Sequence, residues 1–497
     1  MASVGSGGGT LAARRWLLAL LVLLSLPPVF MTWNARDALL TDDALITLTY
    51  SRNLAAGRGF IFNAPPAVLG TTTPLWALLC AFWHFLLPHA SLTRIAVLFA
   101  GFFWLSSLWL VWFFRRALSF PPWMVLASAA VMASMYWPKT LGMETHLFLF
   151  LLLLSTGLFF CGRFFWSGFA SSLLFLTRGE GILLLGVQAV LLLLRSWREG
   201  KFDLARVSRL LLGFAVPFVA WAAYAYPTFG QILPNTLAAK MAQAESGLWP
   251  SFWQEFWNSW LPNWKSGWQA GSAWLNAWIV LALLGAGLAI RRKRPLAMLL
   301  AWLALYFSGY ALLGVAAYDW YMHPIAWIAG LAVAEAVSAL AGFLDKRWPS
   351  APGSGWAGLA LCLAFAVAVV GPALATARSR PAYPKGQVYL DMCRWFQRNA
   401  SPRESIAFFE VGYLGFYTRN PIVDQVGLVT SGAVPNISRR DFSSIFWSQR
   451  PDYLVVYEGS GFQYHIVTDP RFGKEYRPVV TFHGLKRPLI VCRRRRA

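Results

Sequence analysis

From Trp16 to Ala377 the sequence is a succession of long apolar runs separated by short polar turns. A hydrocarbon core about 30 Å thick is crossed by roughly 17–25 helical residues. Backbone polar groups inside it must be satisfied within the protein, so only helices or closed barrels can span it. Unbroken runs, rather than alternating ones, select helices. The runs lie near Trp16–Trp33, Arg94–Phe114, Phe120–Trp137, His146–Cys161, Phe164–Thr177, Gly181–Leu194, Leu210–Tyr226, Trp274–Ile290, Pro295–Ala316, Tyr321–Phe343 and Trp356–Ala377. We therefore expect a polytopic α-helical membrane protein with about eleven transmembrane helices. Only 13% of the 497 residues are charged, against about 25% in soluble domains.

The net charge of +22 would suit a nucleic-acid binder, but its distribution does not. The basic residues sit in the turns: Arg14/Arg15, Arg115/Arg116, Arg163, the group Arg195, Arg198, Lys201, Arg206 and Arg209, the run Arg291–Arg294, and Lys346/Arg347. All face the cytoplasm, as the positive-inside rule requires, if Thr73–Leu87 lies in the interface instead of crossing. The N-terminus is then inside and the C-terminus outside. The run from Trp16 lacks a small-residue cleavage site and reads as an uncleaved first span. Five cysteines give no metal spacing; Cys80, Cys161 and Cys362 lie in apolar segments, and Cys393 and Cys492 could pair.

This topology sorts the unusual polar loops to the outer side: Asp42-Asp43, Lys139–His146, Arg178-Gly179-Glu180, Pro227–Ser272, Tyr318–Tyr321, and everything after Arg378. One shared outer-face site would explain the sorting. Thr41 can cap a helix whose first turn holds Asp42 and Asp43, where the dipole favours negative charge. That pair reads either as a well-capped interfacial helix or as a catalytic carboxylate at the membrane surface. In the long loop, Trp249, Trp253, Trp257, Trp260, Trp264 and Trp268 recur every three to four residues, the pattern of interfacial helices anchored by indoles. After Arg378 the composition changes. A helix over Ala382–Asn399 is followed by strand-like runs at Ser405–Phe409, Pro421–Asp424, Tyr453–Tyr457, Val479–Phe482 and Leu489–Arg493. We expect residues 1–377 to form the transmembrane domain and 378–497 an extracytoplasmic α/β domain.

Taken in order, the motifs resemble a known family. Asp42-Asp43-Ala-Leu-Ile, Tyr50-Ser-Arg-Asn-Leu-Ala-Ala-Gly-Arg-Gly-Phe and Gly70-Thr-Thr-Thr-Pro-Leu-Trp are similar to the first outer loop of membrane glycosyltransferases of the C fold (GT-C). Gly142-Met-Glu-Thr, Arg178-Gly-Glu-Gly and Leu233-Pro-Asn-Thr-Leu-Ala-Ala-Lys240 follow in the order of bacterial cell-wall arabinofuranosyltransferases that use polyprenyl-phosphate arabinose. Glu410-Val-Gly-Tyr-Leu-Gly-Phe-Tyr and Ile422-Val-Asp424-Gln-Val-Gly-Leu fit their outer domain. Two features depart from that group: Gly179 replaces a usual Pro, and Tyr318-Asp-Trp-Tyr-Met-His323-Pro looks more like hexose-transferring relatives.

The resemblance implies a GT-C glycosyltransferase in a bacterial plasma membrane. It would move arabinofuranose, or a related pentose or hexose, with inversion, from a polyprenyl phosphate to an acceptor hydroxyl. The acceptor would be a cell-envelope glycan, glycolipid or protein. An alcohol needs a positioned base, and neighbouring carboxylates raise one another's pKa. By resemblance Asp42 is the candidate base and Asp43 its partner; exchanged names leave the argument intact. The departing lipid phosphate needs cations, for which Arg178 and Lys240 stand first, ahead of Arg52, Arg58, Lys139 and His323. Glu144, Glu180, Asp319, Asn235, Tyr50 and Tyr321 are the remaining donor- or acceptor-binding candidates. Glu410 and Asp424 read as structural or as lining an acceptor groove. No cofactor is required; a divalent ion beside the phosphate stays open, although the acids are scattered and no His pair has ligand spacing. No Gly-rich nucleotide loop occurs. A flippase of lipid-linked sugars would place polar residues at the bilayer midplane on broken helices, and a scaffold would have no need of the aspartate pair.

Overall fold

The computed structural model describes residues 7–64, 66–136, 140–200, 203–260, 273–348, 356–378, 383, 385–430 and 432–495. Lys139, Trp264, Trp268 and the Trp260 side chain lie outside them. In chain order the first half runs through α1 (Gly7–Ala35), α2 (Asp42–Ala55), α3 (Pro74–Leu86), α4 (Leu92–Phe113), α5 (Pro122–Ala133), α6 (Thr145–Phe160), α7 (Phe164–Thr177) and α8 (Ile182–Arg198). It continues through α9 (Leu204–Phe229), α10 (Thr236–Glu245), α11 (Phe252–Glu255), α12 (Ala273–Arg291), α13 (Leu296–Leu313), α14 (Met322–Arg347) and α15 (Trp356–Arg378). Among the described residues seven helical stretches are long and apolar enough to cross a membrane, and α5, α6, α7 and α12 are shorter apolar helices on the remaining expected runs.

Contacts at the helix ends fix how the bundle alternates. Arg294 donates to the Ser119 carbonyl. Arg292 pairs with the buried Glu335 at 3.2 Å, and Trp123 and the Gly358 amide both donate to Asp345. The turns that hold Arg115/Arg116, Arg291–Arg294 and Lys346/Arg347 therefore gather at one end. At the other end, Arg94 at the start of α4 pairs with Asp37 just after α1 at 2.6 Å. Thr73, preceding α3, lies there too, in the wall of the main cavity. Thus α3, 13 residues and about 20 Å long, starts and finishes at one end of the bundle.

Within the bundle, helices approach through small and polar residues, the usual solution where lipid is as apolar as the side chains. A Cβ on Gly168 would fall 1.9 Å from the Leu210 carbonyl, and one on Gly213 would fall 1.9 Å from that of Phe165, so α7 and α9 touch backbone to backbone. Behind α7, Ser155, Ser171 and Gln188 share buried hydrogen bonds of 2.8 and 2.9 Å.

The C-terminal part carries α16 (Gly386–Asn399), β1 (Ile406–Phe408), α17 (Gly412–Tyr417), β2 (Ile422–Asp424), α18 (Val434–Ile437), α19 (Phe442–Gln449), β3 (Tyr453–Tyr457), α20 (Tyr464–Val467), α21 (Pro470–Glu475), β4 (Tyr476–Phe482) and β5 (Leu489–Arg494). The sheet order is β2-β1-β3-β5-β4, with β1 parallel to β2 and β3, and β5 antiparallel to β3 and β4. Strand alternation builds two cores. Tyr453, Val455, Leu489 and Val491 face α16, which answers with Tyr389, Met392 and Phe396 at helical spacing. Leu454, Val456 and Cys492 face Phe446 and Ile466 on α19 and α20.

One open question closes here and one expectation is corrected. Cys393 and Cys492 are both free thiols; they belong to the cores on opposite faces of the sheet, so they cannot pair. The fourth strand begins at Tyr476 and not at Val479, crossing an irregularity between Pro478 and Val480.

Candidate functional site

The cavity end of the bundle encloses about 420 Å³. Its wall draws on the first loop, the α5–α6, α7–α8 and α13–α14 turns, α10, and Leu428 of the C-terminal part. Five segments distant in sequence thus deliver Asp43, Glu144, Arg178, Glu180, Lys240 and Tyr321 to one space. Hydroxyls and rings complete the polar side, and Phe175, Ile182, Leu183, Ile232, Leu233 and Leu237 make an apolar side.

The aspartate pair divides its work. On α2, Asp43, Ile46 and Thr47 line the cavity, positions i, i+3 and i+4 of one helix face. Asp42 points elsewhere. Its two oxygens accept from the Gly412 and Tyr413 amides at 2.9 and 3.0 Å. Burial, followed by the charge of Glu410, pushes its carboxyl up to about 8. Asp42, the first candidate for the base, is held by the C-terminal part, whereas Asp43, the alternative, is the acid on the cavity wall. Burial raises the Asp43 carboxyl too, while the charge of Lys240 opposes the rise. Thr41 makes no side-chain capping bond; its hydroxyl lies 3.9 Å from the Met143 sulfur instead.

The cations are held in different ways. Arg178, following α7, is 4% exposed. Its Nε and Nη2 both lie 2.8 Å from Glu180 Oε1, while its buried Nη1 has no hydrogen-bond partner. The Tyr310 hydroxyl also donates to Glu180, at 3.0 Å. Lys240 donates to the Tyr321 hydroxyl at 2.9 Å, and its ammonium sits 4.8, 5.5 and 5.2 Å from the ring centres of Tyr318, Trp320 and Tyr321. Burial lowers the Lys240 pKa, and Asp43 pulls it back up. Glu144 is buried beside this group, and burial raises its pKa against the charge of Arg178.

Several sequence candidates lie off the cavity. The Tyr50 hydroxyl donates to the Val68 carbonyl and accepts from the Gly70 amide, so it shapes the 68–73 loop. Arg52 donates to the Phe416 carbonyl, and Asn235 donates to that of Gly427. His323 is buried at the start of α14, and Asp319 and Arg58 are exposed, none of them on the wall. Glu410 binds Lys385 and the Tyr389 and Tyr457 hydroxyls. Asp424 accepts from the Val426, Leu428 and Val429 amides, folding the loop that carries Leu428. Residues not singled out from sequence join the wall: Thr47, Thr71 and Thr73, whose hydroxyls lie 2.9–3.2 Å apart, with Tyr306, Tyr310, Tyr318 and Trp320. The signals for Thr71, Thr73, Tyr318 and Trp320 were the Gly70-Thr-Thr-Thr-Pro and Tyr318-Asp-Trp-Tyr motifs; neither motif contains Thr47, Tyr306 or Tyr310. Among the described residues no three His, Cys, Asp or Glu side chains gather as a metal ion would need.

Two solved structures share this architecture. ArnT from Cupriavidus metallidurans in the apo state aligns over 97% of this chain and 98% of its own, with a TM-score of 0.56 and 14% identity. The Archaeoglobus fulgidus oligosaccharyltransferase, in complex with Zn and sulfate, aligns over 88% of this chain and 67% of its own, with a TM-score of 0.53 and 12% identity. Residues 378–496 match a family model described as a domain of unknown function (DUF8728). No curated protein matches the sequence. The chain is a polytopic membrane protein of the GT-C fold with a C-terminal α/β domain. Of the tryptophan loop, Trp249 packs on Phe462 at 5.3 Å between centroids, and Trp253 and Trp257 are exposed.

Proposed function

We propose that this protein is a glycosyltransferase that moves a sugar from a polyprenyl-phosphate donor to an acceptor hydroxyl, with Asp43 as the general base. One observation carries the reading. The cavity that holds Asp43 also holds Arg178, whose buried Nη1 is unpartnered, and Lys240, and it has an apolar side. A cation left unsatisfied in a buried wall is costly and suits an anion supplied by the substrate.

In this reading Asp43 takes the acceptor's proton as the hydroxyl oxygen bonds to the anomeric carbon. The bond from that carbon to the phosphate oxygen breaks, and the lipid phosphate leaves with the electron pair. Arg178 Nη1 and Lys240 hold the charge that develops. The raised Asp43 pKa strengthens it as a base, and the charge of Lys240 opposes the rise. Glu144 and the Thr47–Thr71–Thr73 hydroxyls are placed to meet sugar hydroxyls, and the apolar side to take the first isoprene units. The GT-C likeness to ArnT and to an oligosaccharyltransferase supports the class of reaction. The motif order favours arabinofuranose or another pentose and the Tyr318–His323 segment favours a hexose; the acceptor would belong to the cell envelope. The plasma membrane of a bacterium, with the cavity facing outward, completes the reading.

The test is purified protein in lipid nanodiscs with synthetic polyprenyl-phosphate pentose and hexose and a matched acceptor. Transfer from one of them, lost in Asp43→Asn, is the expected result. Transfer from nucleotide sugars alone would overturn the lipid donor, and full turnover by Asp43→Asn would overturn the base.

A further inference from the structure

We infer that the C-terminal domain is a working part of the active site, with Asp42 as the positioning residue that sets the rotation of α2 and so aims Asp43 into the cavity. This rests on Asp43 lying at the reaction centre.

Asp42 and Asp43 are adjacent in α2, so a turn of that helix trades one for the other. The rotation is fixed from outside the bundle. The Gly412 and Tyr413 amides each hold one oxygen of Asp42, and the Tyr413 hydroxyl reaches the Leu40 carbonyl at 2.7 Å. The contact is too close for any side chain at 412. A Cβ there would lie 1.9 Å from the Asp42 carbonyl oxygen. The same domain supplies a piece of wall. Asp424 curls residues 426–429 so that Leu428 enters the cavity, and its carbonyl would lie 2.3 Å from a Cβ at Gly70. Asn235, ahead of the Lys240 helix, ties the Leu69 and Gly427 carbonyls together. The domain thus holds the base on one side of the cavity and the loop before the Lys240 helix on the other, and among the described residues it lines the cavity with Leu428 and with no charged group.

The experiment uses full-length protein in nanodiscs, with Asp42→Ala and Gly412→Ala. Neither changes a cavity-lining side chain. Amide hydrogen exchange over residues 43–50 and 411–417, the donor KM and kcat, and the pH profile of kcat/KM are measured together. We expect faster exchange in both segments, kcat reduced by about 10²-fold with little change in KM, and a displaced acidic limb in the pH profile. Asp43→Asn should leave the exchange as it is. Wild-type exchange in both segments of Asp42→Ala would overturn the inference. So would faster exchange in Gly412→Ala with unchanged kcat and pH profile. If the wild type transfers no sugar, the failure belongs to the proposed reaction, and the inference then stands or falls on whether α2 loosens in the two variants.

Discussion

At the scale of single residues, adjacent aspartates have opposite surroundings. Asp43→Asn keeps shape and removes the proton acceptor, so transfer should fall by about 10²–10⁴-fold while binding of polyprenyl phosphate, followed by titration, persists. Arg178→Ala should act otherwise. It leaves the half-buried Glu180 with only the Tyr310 hydroxyl as a partner among the described residues, at a cost of about 1–3 kcal/mol. Its expected signature is a lowered unfolding midpoint together with weakened lipid-phosphate binding, and Arg178→Lys should restore neither, since a point charge cannot serve Glu180 and a phosphate at once. Asp42 carries a pH dependence. Its folded pKa is raised, to about 8, above an unfolded value of about 3.9. The folded state therefore binds the proton more tightly, and the stability this gives is complete below pH 4 and lost as pH rises to about 8. The carboxylates facing it are Asp43 and Glu410. The unfolding midpoint should decline between pH 4 and 8, and Asp42→Asn should flatten that slope; an unchanged slope would contradict it. The sequence showed that two acids open a helix. Which one meets the cavity was not legible, because Gly412 and Tyr413, 370 and 371 positions away, decide it. The places of Tyr50 and Arg52 were not legible for the same reason: a polar motif residue looks alike whether it lines a cavity or holds a loop.

At the scale of elements, the period of the apolar runs and the placing of arginines carried most of the fold. The α3 helix illustrates why. Its run is as apolar as a span, and only the parity of the basic turns argued that it returns to the side it left. Single cysteines near His89 and Ser119, in protein stripped of native cysteines, give the check. An impermeant reagent on intact cells should label the first and spare the second; the reverse would refute the arrangement. The α7–α9 contact was not legible, since Gly168 and Gly213 look like any small residues in an apolar run. Gly213→Leu should wedge the helices apart, with an overpacking cost of about 1–3 kcal/mol. Because Arg178 directly follows α7, donor binding should weaken as well, although the substitution lies away from the cavity.

At the scale of the whole molecule, the C-terminal part has the makings of an independent unit and the contacts of a dependent one. Its sheet is covered on both faces, by α16 on one and by α19 and α20 on the other, so the apolar surface a fold needs is buried within residues 386–495. Alternation along β3 and β5 made that legible in sequence. The segment from Glu410 to Val429 is different. Its amides and carbonyls are satisfied by Asp42, Asn63 and Asn235 of the membrane part, and no local pattern announces partners so far away. We therefore expect a soluble fragment spanning 383–495 to unfold cooperatively, as a domain with its own core should. Its amide spectrum should be dispersed for β1, β3, β4, β5, α16 and α19, and broadened or exchange-averaged from Gly412 to Val429, the edge strand β2 included. A fragment with no cooperative transition would mean that the sheet depends on the membrane part for its fold. A fragment in which residues 412–429 are as ordered as the sheet would mean that α17 and the Leu428 loop hold their shape unaided, and that Asp42 docks onto a preformed surface.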